Sequence, residues 1–135
     1  MQNYMQKYNT QNDTYKPMVY VSGAISGVDA LFARAEFNLA EEEAHKLYPG
    51  YSVYNPYVVG AALPKDWTYN QITNLDLAVL EDCEVIYMMD NWQMSKGAKI
   101  EHDFAKSHNI EIVYQKDMQK NIYKNKEMER DDFDL

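Results

Sequence analysis

The chain has 135 residues, 46% of them hydrophobic and 25% charged, the composition of one soluble globular domain with little room for a second. Thirteen Lys and Arg against 21 Asp and Glu leave a formal net charge of −8, which repels a polyanion and argues against polymeric nucleic acid as a partner, while local donors can still hold the phosphate of one small nucleotide. A single cysteine, Cys83, excludes an internal disulfide and a Cys-rich zinc site, and no stretch reaches the ~18 apolar residues of a membrane span.

Residues 1–16, MQNYMQKYNTQNDTYK, are polar and aperiodic and read as an N-terminal arm. They lack the apolar core of a secretory signal; with the lone thiol, this places the protein in the cytoplasm. An α/β domain is expected over 17–115. It opens with a buried strand, MVYVS (Met18–Ser22), that runs into a glycine. From Asp29 to about Tyr48, Leu31, Ala35 and Leu39 recur every fourth residue, which predicts a helix, stopped by Pro49-Gly50. Tyr51–Pro56 is a second strand closed by Asn55-Pro56, and a loop with Gly60 and Pro64 follows. A helix is expected from about Tyr69 to Asp82, then the most continuous strand, Glu84–Met89, then a polar turn. A third helix from about Gly97 to Ser107 and a last strand, Ile110–Tyr114, complete the pattern. Residues 116–135 form a charged C-terminal tail.

Strands alternating with helices imply right-handed crossovers and a parallel sheet with helices on both faces. The expected architecture is flavodoxin-like (Rossmann-like), strand order 2-1-3-4, with room for an extra edge strand. Ligands of such sheets bind outside the carboxyl ends of the strands at the switch point, here between the first and third strands. That rule selects Gly23–Gly27 and Asp90–Gly97.

In the first segment, Gly23 and Gly27 bracket Ala24, Ile25 and Ser26. Two glycines four apart allow close approach to a ligand and free N–H groups for anionic oxygens; the structural reading is a tight turn. In the second, Ser95 stands at a helix N-cap, with Gly97 and Ala98 in the first turn. A helix start facing a switch point favours anions; the structural reading is a plain cap. Two acids are more informative. Glu101 lies three after Ala98 and four before Ala105, on the inner face of its helix. Asp76 lies four after Ile72 and three before Val79, inside the stripe of the preceding helix. Acids on two inner faces beside a cleft are a candidate pair for acid–base or nucleophilic work, against the plainer reading of paired structural acids. Tyr20 is expected as a core aromatic with its hydroxyl at the rim. Asp90 and Trp92 follow the third strand; the indole either walls a base pocket or covers the sheet end. The three histidines, His45, His102 and His108, lack metal-ligand spacing and read as surface or rim residues.

Three segments, VYVSGAISG (Val19–Gly27), NLDLAVLEDCEVIYMMDNW (Asn74–Trp92) and SKGAKIEHDFA (Ser95–Ala105), resemble nucleoside 2-deoxyribosyltransferase-like proteins, a group that includes the transferases, 2'-deoxynucleoside 5'-monophosphate N-hydrolases and small bacterial and phage proteins. The likeness spans about 18–114 and is nearest to the small bacterial and phage branch. It implies a flavodoxin-like homodimer or larger assembly that cleaves or transfers the N-glycosidic bond of deoxynucleosides or their monophosphates, without metal or other cofactor. It implies Glu101 as nucleophile, Asp76 as the acid handling base or sugar, Tyr20 as the tyrosine steadying the nucleophile, and Gly23, Ile25 and Gly27 at the sugar. Ser95, six before Glu101, matches the serine of the monophosphate hydrolases rather than the aspartate of the transferases; a carboxylate there would repel a phosphate. Ser26 stands where the hydrolases carry an arginine, which leaves Lys96 or Lys99 to supply positive charge.

The expected mechanism is retaining glycosyl chemistry: Glu101 attacks the anomeric carbon, Asp76 assists the departing base, and water or a second base resolves the ester. Hydrolysis is favoured over transfer. The alternative is a protein that binds a nucleotide or signalling molecule in the same cleft without cleaving it. A third option is hydrolysis of ribosyl compounds.

Overall fold

Side-chain alternation along β1 (Met18–Ser22) sorts the core onto two faces of a sheet. The structure is a computed structural model that describes residues 16–118. On one face, Val19 and Val21 pack with Phe37, Ala40 and Ala44 of α1 (Ala30–Leu47) and with Val85 and Tyr87 of β3 (Val85–Met88). On the other, Tyr20 joins Ile86 and Met88, Leu80 of α3 (Tyr69–Glu81), and Ala98 and Ala105 of α4 (Lys96–Ser107). Helices thus cover both faces of the central strands, which is why these strands read as unbroken apolar runs.

The edges are β2 (Ser52–Tyr54) beside β1 and β4 (Glu111–Tyr114) beside β3, giving the expected order 2-1-3-4, all parallel, with four strands among the described residues. Register sets Tyr20 opposite Tyr54 on one side and Ile86 on the other. The carboxyl ends of β1 and β3 lie together at the switch point, where the Met89 amide donates to the Ser22 carbonyl at 2.8 Å.

The caps follow local chemistry. Asp29 accepts from the Leu31 and Phe32 amides, Thr68 and Gln71 form a reciprocal capping box, and the Ser95 hydroxyl accepts from the Ala98 amide at 3.1 Å. Glu43 of α1 is buried among polar partners, accepting from the Tyr87 hydroxyl and the Gln115 amide, while Gln115 also accepts from the Asp90 amide. These bonds tie α1 to the chain beyond β3 and β4.

One expectation is corrected. The loop expected after Asn55-Pro56 is a helix, α2 (Pro56–Ala62). Asn55 caps it by accepting from the Tyr57 and Val58 amides, and Pro56 occupies a first-turn position that lacks a need for its N–H. In α1 the apolar row Leu31–Ala35–Leu39 faces outward; Leu31 is 78% and Leu39 38% exposed, while Ala33, Phe37, Ala40 and Ala44 are buried. Among the described residues no helix is long and apolar enough to cross a membrane. The N-terminal arm up to residue 15 and the tail from 119 lie outside the described residues.

Candidate active site

The row Ala98–Glu101–Ala105 of α4 faces the sheet because the flanking alanines are small enough to let the helix lie close to it. Glu101 is therefore carried under the end of β1. There the Tyr20 hydroxyl donates to one carboxylate oxygen and the Ser22 hydroxyl donates to the other at 2.7 Å. Burial pushes the Glu101 carboxyl up to about 7; the two hydroxyl bonds pull it back, and the nearby Asp76 charge pushes it up further. Tyr20, fully buried beside this acid, is raised well above the ordinary phenol range by burial and by the Glu101 charge, so it stays a donor.

Asp76 projects from α3 toward the same space. Its Oδ1 accepts from the Tyr54 hydroxyl of β2 at 3.0 Å. Burial raises its carboxyl above the usual range and the Tyr54 bond pulls it back. Tyr54 is itself raised, by burial first and then by the Asp76 charge. The two acids line one cavity of about 390 Å³ with Gly23, Ile25 and Ser26, and Ser95, Lys96 and Gly97 form another wall. Ile72, Met94 and Pro56 are among the apolar residues that line it.

Gly23 is required sterically: a Cβ there would sit 2.5 Å from the Met89 sulfur and 3.1 Å from Asn91 Oδ1. Asn91 in turn accepts from the Ala24 amide at 3.0 Å, pinning the glycine turn to the end of β3. At Gly97 a Cβ would make only ordinary contacts.

Of the residues singled out from sequence, Glu101, Asp76, Gly23, Ile25, Ser26, Ser95 and Gly97 line this cavity, and Tyr20 reaches it through Glu101. Gly27 does not line it; its φ of +77° shapes the turn instead. Asp90 and Trp92 do not line it either. They border a separate cavity of about 550 Å³ with Tyr114 and Lys116. The 3₁₀ turn Trp92–Met94 carries the indole toward β4, where His102 stacks on it at 4.3 Å with the rings 18° from parallel. His102 Nε2 also lies 2.8 Å from the Tyr114 hydroxyl. Trp92 thus packs beside Tyr114 at the end of β4 and lines this second cavity.

Ser22, Tyr54 and Asn91 are site residues that sequence reasoning missed. Ser22 and Tyr54 sit in strands and read as core; Asn91 reads as part of a polar turn. The alternation that points Tyr20 and Tyr54 to one face is a usable signal, but only once β1 and β2 are known to be neighbours.

Chemically, the site joins a carboxylate held by two hydroxyls to a second acid held on one oxygen, in a cavity with apolar walls. That arrangement suits nucleophilic attack by one group with proton delivery by the other. A search of curated proteins finds no match to the chain. One protein family matches residues 17–114, which contain every residue of the site, so the chain belongs to the family described as a domain of unknown function, DUF4406.

Proposed function

We propose that the protein cleaves or transfers the N-glycosidic bond of 2'-deoxynucleosides or their 5'-monophosphates, with Glu101 as nucleophile. The observation that carries this reading is the convergence of Glu101 and Asp76 on one cavity, each held by a strand tyrosine. The resemblance to nucleoside 2-deoxyribosyltransferase-like proteins supports the same roles.

In this mechanism the Glu101 carboxylate attacks the anomeric carbon as the bond to the base breaks. Asp76 gives its proton to the departing base nitrogen, leaving a sugar–Glu101 ester and an Asp76 carboxylate. Water then attacks the same carbon, returns a proton to Asp76 and frees Glu101 as carboxylate; a second base in place of water gives transfer. Tyr20 and Ser22 hold the attacking carboxylate without neutralising it.

The two acids titrate as a pair. Burial raises both members, and the active form holds one proton, on Asp76, so activity falls at low pH, where Glu101 is protonated as well, and at high pH, where both acids are ionised. At the cavity wall, Ser95, Lys96 and the open end of α4 favour a 5'-phosphate. Two or more copies form the working unit in this reading, joined through the outward row of α1.

The test is chromatography of products after incubation with common deoxynucleosides and their monophosphates. The wild type releases free base, and Glu101→Ala lowers release by at least ~10³-fold, as expected for loss of a nucleophile. Unchanged turnover by Glu101→Ala rejects the assignment. Thermal stabilisation of the wild type by nucleotides with no base released assigns the cavity to binding alone.

A further inference from the structure

Tyr20 and Tyr54 are register partners on adjacent parallel strands, so their side chains leave the sheet on the same face. Their rings stack with centroids 5.2 Å apart and planes 27° apart. Tyr20 donates to Glu101 on α4, and Tyr54 donates to Asp76 on α3 at 3.0 Å. Two neighbouring phenols thus reach two different helices and hold one acid each.

The two acids differ in what their partners leave free. Both oxygens of Glu101 accept hydroxyl bonds. Asp76 accepts the Tyr54 bond on Oδ1 alone. We infer that Tyr54 is a positioning residue that holds Oδ1 of Asp76, so that the proton to be delivered rides on Oδ2, at a spacing from Glu101 set by the stacked tyrosine pair. This rests on the glycosidic reading of the site and deepens it, by giving the Tyr54 hydroxyl a role in proton delivery.

The groups facing Asp76 are Tyr54 from β2, Tyr20 from β1, Glu101 from α4 and, at the cavity wall, Lys96. Of these, Tyr54 makes the hydrogen bond that favours the Asp76 anion. Removing its hydroxyl moves the first ionisation of the pair to higher pH and unlocks the rotation of the carboxyl. Tyr54 stays protonated throughout the working range, because burial and the Asp76 charge both raise it.

The experiment compares wild type with Tyr54→Phe, which keeps the ring. Two substrates are used: a purine deoxynucleoside monophosphate, whose base needs a proton to leave, and a 2-deoxyribosyl nitrophenolate, whose leaving group does not. On the nucleotide, Tyr54→Phe lowers kcat about 10–100-fold, the range of a general-acid contribution, with KM changed less than about 3-fold. The acid limb of its pH profile moves to higher pH, and the nitrophenolate is turned over at the wild-type rate. A second variant places 3-fluorotyrosine at Tyr54. Its more acidic hydroxyl donates more strongly, so the acid limb moves to lower pH. This variant keeps the test open should Tyr54→Phe fail to fold. Equal losses on both substrates, or acid limbs that stay in place in both variants, overturn the positioning role while leaving the glycosidic reading intact. A wild type that releases nothing from either compound overturns both.

Discussion

Glu101 works against the stability of the fold that holds it. Its carboxyl is pushed up to about 7, chiefly by burial, whereas an exposed glutamate titrates near ~4.3. Between those values the folded state binds more protons than the unfolded chain, so stability is highest on the acid side and falls as pH rises through the window. Replacing the acid by an uncharged amide removes that penalty. Glu101→Gln therefore unfolds later than the wild type above pH 7, by on the order of 2 kcal/mol, and the two curves converge near pH 4. Urea unfolding at pH 4, 7 and 8 measures this; a difference that does not vary with pH rejects it. A dead but stabilised variant is the expected signature of a carboxylate kept for chemistry. Residue chemistry made Glu101 and Asp76 legible in the sequence, because an acid inside an apolar helical stripe needs a reason. Ser22 and Tyr54 were not legible in the same way. A serine or tyrosine in a strand needs no special reason, and the bonds they make depend on neighbours 79 and 22 residues away.

Elements were legible where a local signal was unique and ambiguous where two signals competed. α4 was placed by its cap, since Ser95 is followed by small residues and an acid on the inner face. In α1 two rows have the same four-residue spacing, Leu31–Ala35–Leu39 and Ala33–Phe37, and periodicity alone does not choose between them. The structure buries the second because Phe37 continues into Ala40 and Ala44, one unbroken stripe against β1 and β3. α2 was missed because Asn55-Pro56 signals both the end of a strand and the start of a helix. The cap of α4 separates structure from function in one substitution. Ser95 accepts from the Ala98 amide at 3.1 Å and lines the cavity. Aspartate caps as well as serine and suits the positive end of a helix. Ser95→Asp should then leave stability within ~0.5 kcal/mol, yet weaken binding of deoxynucleoside monophosphates about 10-fold or more through like-charge repulsion, with free deoxynucleosides unaffected. Calorimetry with each class checks this; equal effects on both place the phosphate elsewhere.

At the scale of the molecule, the row that α1 does not bury is the feature that needs a partner. Leu31 is 78% exposed, Phe32 56% and Leu39 38%, and Ala35 between them is exposed too. Residues four apart on a helix lie one above the other, so Leu31, Ala35 and Leu39 make a continuous apolar ridge rather than scattered contacts. Monomers seldom leave such a patch in water. In the proposed assembly a second copy of the chain would present the same ridge and cover it symmetrically, with α1 packed on α1. Each copy carries a net charge of −8, which opposes that contact at low ionic strength and less so as salt screens it. Light scattering should therefore show a wild-type assembly that strengthens from about 0.01 M to 0.15 M salt. The double variant Leu31→Glu/Leu39→Glu should be monomeric at both, with the monomer's own stability changed by less than ~1 kcal/mol, because neither position belongs to the core. A wild type that stays monomeric at high concentration and physiological salt removes α1 as the contact. A double variant that still assembles moves the contact to another face.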